Sequence, residues 1–96
     1  MATVPDPPDR SLRDLLARLR RIEGQVRGLQ DMIQHGRECE AVLTQVRAVQ
    51  AALAAVARRV LEHYLEQCQK EWETEPDPRL LKEKLRETVG LLTKFL

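Results

Sequence analysis

Leu12, Leu15, Leu19, Ile22, Val26, Leu29 and Ile33 recur every three or four residues, and charged or amide side chains fill most of the gaps. That spacing returns to one face of an α-helix and forms a packing seam, so a helix is expected over residues 10–34. Asp9 or Ser11 stands where its N-cap would be. Gly36 stands where a left-handed residue would close it. Gly24 and Gly28 lie inside the helix, each costing roughly 1 kcal/mol against alanine, which points to close backbone approach at these positions.

A second seam, Cys39, Val42, Val46, Val49, Leu53, Val56 and Val60, belongs to a stretch from Arg37 to Cys68 that holds neither proline nor glycine. It predicts a helix over residues 38–72, about 50 Å long at 1.5 Å per residue. Valine-rich along one stripe and alanine-rich beside it (AALAAVA), this helix cannot be covered by the first alone. It calls for another long helix packed along it. Pro76 and Pro78 then break the chain, and Leu81, Leu85, Val89, Leu92 and Phe95 define a third helix over residues 78–95. MATVPDPPD, with three prolines in nine residues, reads as a flexible arm over residues 1–9. Residues 10–96 follow as a single all-α domain of three helices.

Composition supports that reading: 43% of the 96 residues are hydrophobic, 32% are charged, and Tyr64, Trp72 and Phe95 are the only aromatics. A chain of this size has a marginal core of its own, so oligomerisation is expected. No apolar run approaches the roughly 18 to 20 residues of a membrane span, and the first ten residues lack the pattern of a secretory signal. A cytoplasmic protein with no membrane partner is expected. The net charge of +1 is unevenly spread, for residues 10–59 carry ten arginines and five acids, whereas residues 60–96 carry six bases and eight acids. Arginine forks suit phosphate oxygens, which brings in nucleic acid as a partner; the plain alternative is a solvated helix face. No set of nucleophile, base and oxyanion donors is evident, so an enzyme is not expected.

The chain's two cysteines, Cys39 and Cys68, lie on the second helix, 29 residues apart. The helical rise separates them by about 43 Å, beyond disulfide or shared-metal reach within one chain. Twenty-nine steps of 100° end only about 20° past eight full turns, so both thiols face one side. Packing of that side on an antiparallel copy about a two-fold axis would bring Cys39 of each chain beside Cys68 of the other, giving two identical intersubunit sites. Tyr64, four residues before Cys68, shares its face and lines the site, whereas His63 points about 140° away. His35 precedes Cys39 by four residues, but the HGR sequence breaks the helix between them. In a reducing compartment a redox or metal role for the thiols stands against the plain reading of two buried small hydrophobes.

"LLARLRRIEGQVRGLQDMI" followed by "CEAVLTQVRAVQAALAAVARRVLEHYLEQC" resembles the CsoR/RcnR/FrmR family of bacterial transcriptional repressors, over nearly the whole span from Leu12 to Leu96. The resemblance implies an all-helical antiparallel dimer that pairs into a homotetramer. It also implies that operator DNA is bound without a helix-turn-helix and released by an effector. It carries DNA contact onto Arg18, Arg20 and Arg21, with Arg58 on the second helix as a further candidate.

In the family's copper sensors a histidine joins the two cysteines, and its position falls on Tyr64 here, not on His63. Nickel and cobalt sensors need further histidines, including some near the amino terminus, and MATVPDPPD has none. Members with both cysteines and no such histidine are similar to the persulfide sensors. The branch expected is therefore one in which a thiolate takes sulfane sulfur and the resolving cysteine attacks across the interface, giving a di-, tri- or tetrasulfide bridge. Arg37 and the start of the second helix place positive charge beside Cys39. No cofactor is required on this reading. The alternative is a repressor that binds Cu(I) through the Cys39 and Cys68 thiolates, and an alternative of another class is a structural helical oligomer or interaction module.

Overall fold

The structure, a computed structural model, describes residues 10–95. The arm expected over residues 1–9, and Asp9 as a cap with it, lie outside the described residues. Among these residues there are three α-helices and no strand: α1 (Arg10–Gln34), α2 (Cys39–Thr74) and α3 (Pro78–Phe95). All three match the periodicity of the apolar positions to within two residues at either end. Ser11 lies inside α1, not at its cap.

The helix ends follow from local chemistry. Gly36 adopts φ 65°, the Arg37 amide donates to the Met32 carbonyl at 3.0 Å, and the Gly36 amide donates to that of Ile33 at 3.2 Å. These two bonds satisfy carbonyls that the end of α1 leaves free, and they need the left-handed residue that glycine supplies. At the start of α3, Asp77 Oδ1 accepts the Arg79 amide at 2.9 Å. Pro78 occupies the first helical position, where no amide hydrogen is required.

The chain divides into two compact units, one ending at Arg59 and the other beginning at Val60, so that α2 contributes residues to both. In the first unit Leu15 and Ile22 of α1 and Val49 of α2 are buried, flanked by half-buried Leu12, Leu29 and Val42. Gln45 Nε2 of α2 donates to the Gln25 carbonyl of α1 at 3.2 Å. The seam of α1 therefore splits. Leu12, Leu15, Ile22 and Leu29 turn inward, while Leu19, Val26 and Ile33 stay exposed, Ile33 at 62%. Leu43 and Leu53 of α2 are exposed as well, at 60% and 47%, as expected of a helix that α1 cannot cover alone. The close backbone approach expected at Gly24 and Gly28 is not found within the chain. A Cβ at Gly24 would meet nothing within 4 Å, and one at Gly28 would meet only Gln45 Nε2 at 3.9 Å, an ordinary contact.

In the second unit the third seam is also displaced from its expected line. Leu81, Lys84, Thr88, Leu91 and Leu92 are the residues that α3 turns inward, Thr88 most deeply, so Leu81 and Leu92 keep the expected line whereas Leu85, Val89 and Phe95 are exposed. Lys84 Nζ accompanies the shift, reaching Glu75 Oε2 at 3.6 Å and Glu71 Oε2 at 4.0 Å, both on the α2 side of the turn. A threonine and a lysine stem thus occupy positions that a purely apolar pattern would not select.

The absence of a long apolar run needs correction too. α2 includes an 18-residue window with at most two charged residues that is apolar enough, by length and composition alone, to cross a membrane. Arg47 sits within that run, at a cost of about 2.5–3.5 kcal/mol at a bilayer centre. Val42, Val46 and Val49 of the same stretch are already wholly or partly covered.

Candidate functional site

The two cysteines occupy contrasting places on α2. Cys39 is its first residue and is exposed; Cys68, near the other end, is 7% exposed. An exposed thiol at a helix start is open to solutes. Cys68 lies under α3, where Thr88 Oγ1 approaches its sulfur to 4.0 Å and donates to the Lys84 carbonyl at 2.9 Å. Tyr64, half-buried one turn before Cys68, completes the group. Interaction with the neighbouring Cys68 sulfur pushes its phenol above the ordinary range, and burial adds to this, while the nearby Thr88 hydroxyl opposes them. A neutral phenol beside a sulfur is a hydrogen-bond donor, not a ligand for a soft metal.

The structure thus brings Tyr64 and Cys68 together and adds Thr88. Neither histidine joins them. His35 is exposed, with its Nδ1 2.7 Å from the Asp31 carbonyl one turn back. His63 is half-buried and its Nε2 is shut away without a hydrogen-bond partner. Among the described residues no three of His, Cys, Asp or Glu come together in a group fit to hold a metal ion. The soft donors a monovalent copper ion would take are the two thiols, and within a chain they stand at opposite ends of one helix.

The arginines present a different surface. Arg20 and Arg21 on α1 and Arg58 on α2 are exposed. Arg18 is partly covered because its Nε donates to Asp14 Oδ2 at 3.1 Å, and the same oxygen takes Arg59 Nη1 of α2 at 3.4 Å. One carboxylate therefore ties arginines of both helices together. Arg59 and Thr88 were not legible as site residues from the sequence. Arg59 looks like one more charge beside Arg58, and Thr88 shows itself only as the polar residue on the inner line of α3.

Comparison with known proteins follows this geometry. A family model described as metal-sensitive transcriptional repressor matches residues 11–94. The copper-sensing transcriptional repressor CsoR of Bacillus subtilis (strain 168) is 51% identical over 51 residues, 53% of this chain and 50% of that one. The chain thus spans about half the length of this curated relative. Among solved structures, the nickel-responsive transcriptional regulator InrS is 34% identical with a TM-score of 0.77, covering 100% of this chain and 99% of its own. The copper-sensing repressor CsoR with Cu(I) from Geobacillus thermodenitrificans NG80-2 is 33% identical with a TM-score of 0.77, covering 98% and 95%.

Proposed function

The chain belongs to the CsoR/RcnR/FrmR family of metal-sensitive transcriptional repressors, and on that premise we propose that it binds operator DNA and releases it when Cys39 and Cys68 of the partner subunit react together. The observation that carries this reading is the pair of thiols itself: an exposed one opening α2 and a second on the same helix beside the Thr88 hydroxyl, with no metal-holding group of His, Cys, Asp or Glu among the described residues. Exposed Leu43 and Leu53 lie on the helical face of Cys39, within 40° of it by helical rotation. An antiparallel copy of α2 covers that face, and two such dimers make the tetramer. DNA contact falls to Arg18, Arg20, Arg21 and Arg58, mostly through phosphate, with sequence read partly through DNA shape. The protein works in the cytoplasm, where the thiols stay reduced until the effector arrives.

The effector we assign first is sulfane sulfur. The Cys39 thiolate takes one sulfur atom from an inorganic polysulfide, which leaves one sulfur shorter. Cys68 of the partner subunit then attacks Cys39 Sγ, forming the disulfide and expelling the terminal sulfur as hydrogen sulfide. Sulfane sulfur is the oxidant and the two thiols supply the electrons. Tyr64 supports this reading because a neutral phenol, a poor ligand for a soft metal, stands one turn from Cys68. Cu(I), held by the same two thiolates, is the second reading, and the copper-sensing relatives favour it at least as strongly. Treatment with polysulfide tests the first: it should yield a cross-linked dimer on a non-reducing gel, lost in Cys39→Ser, whereas a wild-type monomer band would exclude it.

A further inference from the structure

Thr88 is 3% exposed, and its hydroxyl already has an acceptor in the Lys84 carbonyl at 2.9 Å. That bond alone does not account for a buried threonine, because Thr93 makes the same bond to the Val89 carbonyl at 2.8 Å on the exposed side of α3. What distinguishes Thr88 is its place over Cys68, at 4.0 Å from a sulfur that is itself 7% exposed. Valine matches threonine in shape and would suit the line of Leu81 and Leu91 without the cost of a buried hydroxyl. The Lys84 carbonyl is a helix carbonyl with its own amide partner, so the threonine proton is free to turn from it to a neighbouring anion.

We propose that Thr88 is a positioning residue for Cys68: it sets one hydroxyl over one buried sulfur, so that this thiol reacts from a fixed direction with a hydrogen-bond donor in place. While Cys68 carries its proton, Thr88 oxygen can accept from it. Once the sulfur is an anion, the Thr88 hydroxyl donates to it, and hydrogen bonds to a charged acceptor are the strong kind. The inference rests on reading Cys68 as one of the two effector thiols.

Alkylation of the reduced full-length protein by iodoacetamide, followed by peptide mass spectrometry, tests it with Cys39 as an internal reference. Thr88→Val should slow modification of Cys68 by about tenfold, the loss expected for one donor to a charged sulfur, and leave Cys39 within about twofold. Thr88→Ser restores the hydroxyl and should return Cys68 to within about threefold of the wild-type rate. A Cys68 rate in Thr88→Val equal to or faster than wild type overturns the proposal, as does a serine variant no different from valine. If Thr88→Val does not fold, Thr88→Ala gives the same reading, since it also deletes the hydroxyl and should slow Cys68 severalfold; an unchanged rate there overturns the proposal. The assay contains neither effector nor DNA, so its outcome is separate from that of the effector reading.

Discussion

Asp14 of α1 and Arg59 of α2 are joined at 3.4 Å through an oxygen that also takes Arg18 at 3.1 Å. The three side chains are between 30% and 46% exposed, so the cluster contributes at most about 1 kcal/mol to folding. It also holds the Arg59 guanidinium on an acid that Arg18 shares, instead of offering Arg59 to phosphate. Asp14→Asn should leave stability within about 1 kcal/mol. It should also steepen the dependence of log binding constant on log salt by about one, through Arg59. Titration of operator affinity against salt checks this, and an unchanged slope would mean that Arg59 gains no phosphate.

Arg20 and Arg21 are exposed. Replacing both by alanine should weaken operator binding and flatten the salt slope by roughly 0.9 per arginine. Sedimentation should show the same oligomer as wild type. A slope unaltered within error takes these residues out of the DNA interface.

Leu43 and Leu53 are each about half exposed in the isolated chain. If an antiparallel copy covers them, Leu43→Glu with Leu53→Glu places charges in that interface and costs each about 1.5–3 kcal/mol of burial. The variant should sediment as a smaller species with its helical circular dichroism largely kept. An unchanged mass would move the interface elsewhere.

How far the sequence revealed these features depends on the kind of signal each left. The three helices were legible because proline, glycine and apolar period all mark the same boundaries, as at Gly36 and Pro78. The orientation of α3 was not, because Leu85 and Val89 fit the helical period as well as Lys84 and Thr88 do, and the choice between them lies in contacts with another helix, among them those of Lys84 to Glu75 and Glu71 and of Thr88 to Cys68. The pairing of Tyr64 with Cys68 followed from a four-residue spacing. The third member, Thr88, comes from another helix, and single-chain periodicity carries no information about that contact.

Tyr64 is the chain's one tyrosine, so its titration can be followed by phenolate absorbance. Its phenol is pushed above the ordinary value of 10.0, first by interaction with the neighbouring Cys68 sulfur and then by burial. The folded state holds this proton more tightly than the unfolded chain does. The associated stability is therefore fully present below pH 10 and is lost as pH rises through the folded value. Cys68→Ala should lower the midpoint toward that of a free phenol. A midpoint unmoved by Cys68→Ala would show that the sulfur does not hold the hydroxyl.

Operator affinity measured before and after effector loading bears most directly on the central claim, because thiols attract copper whether or not copper is the signal. Fluorescence anisotropy of labelled operator should show inorganic polysulfide weakening the wild-type complex at least about tenfold, within the usual range of allosteric coupling. Cys39→Ser should bind the operator normally and ignore polysulfide. A complex left intact by polysulfide but dissociated by one Cu(I) per site would contradict the sulfane-sulfur account and establish the copper reading in its place.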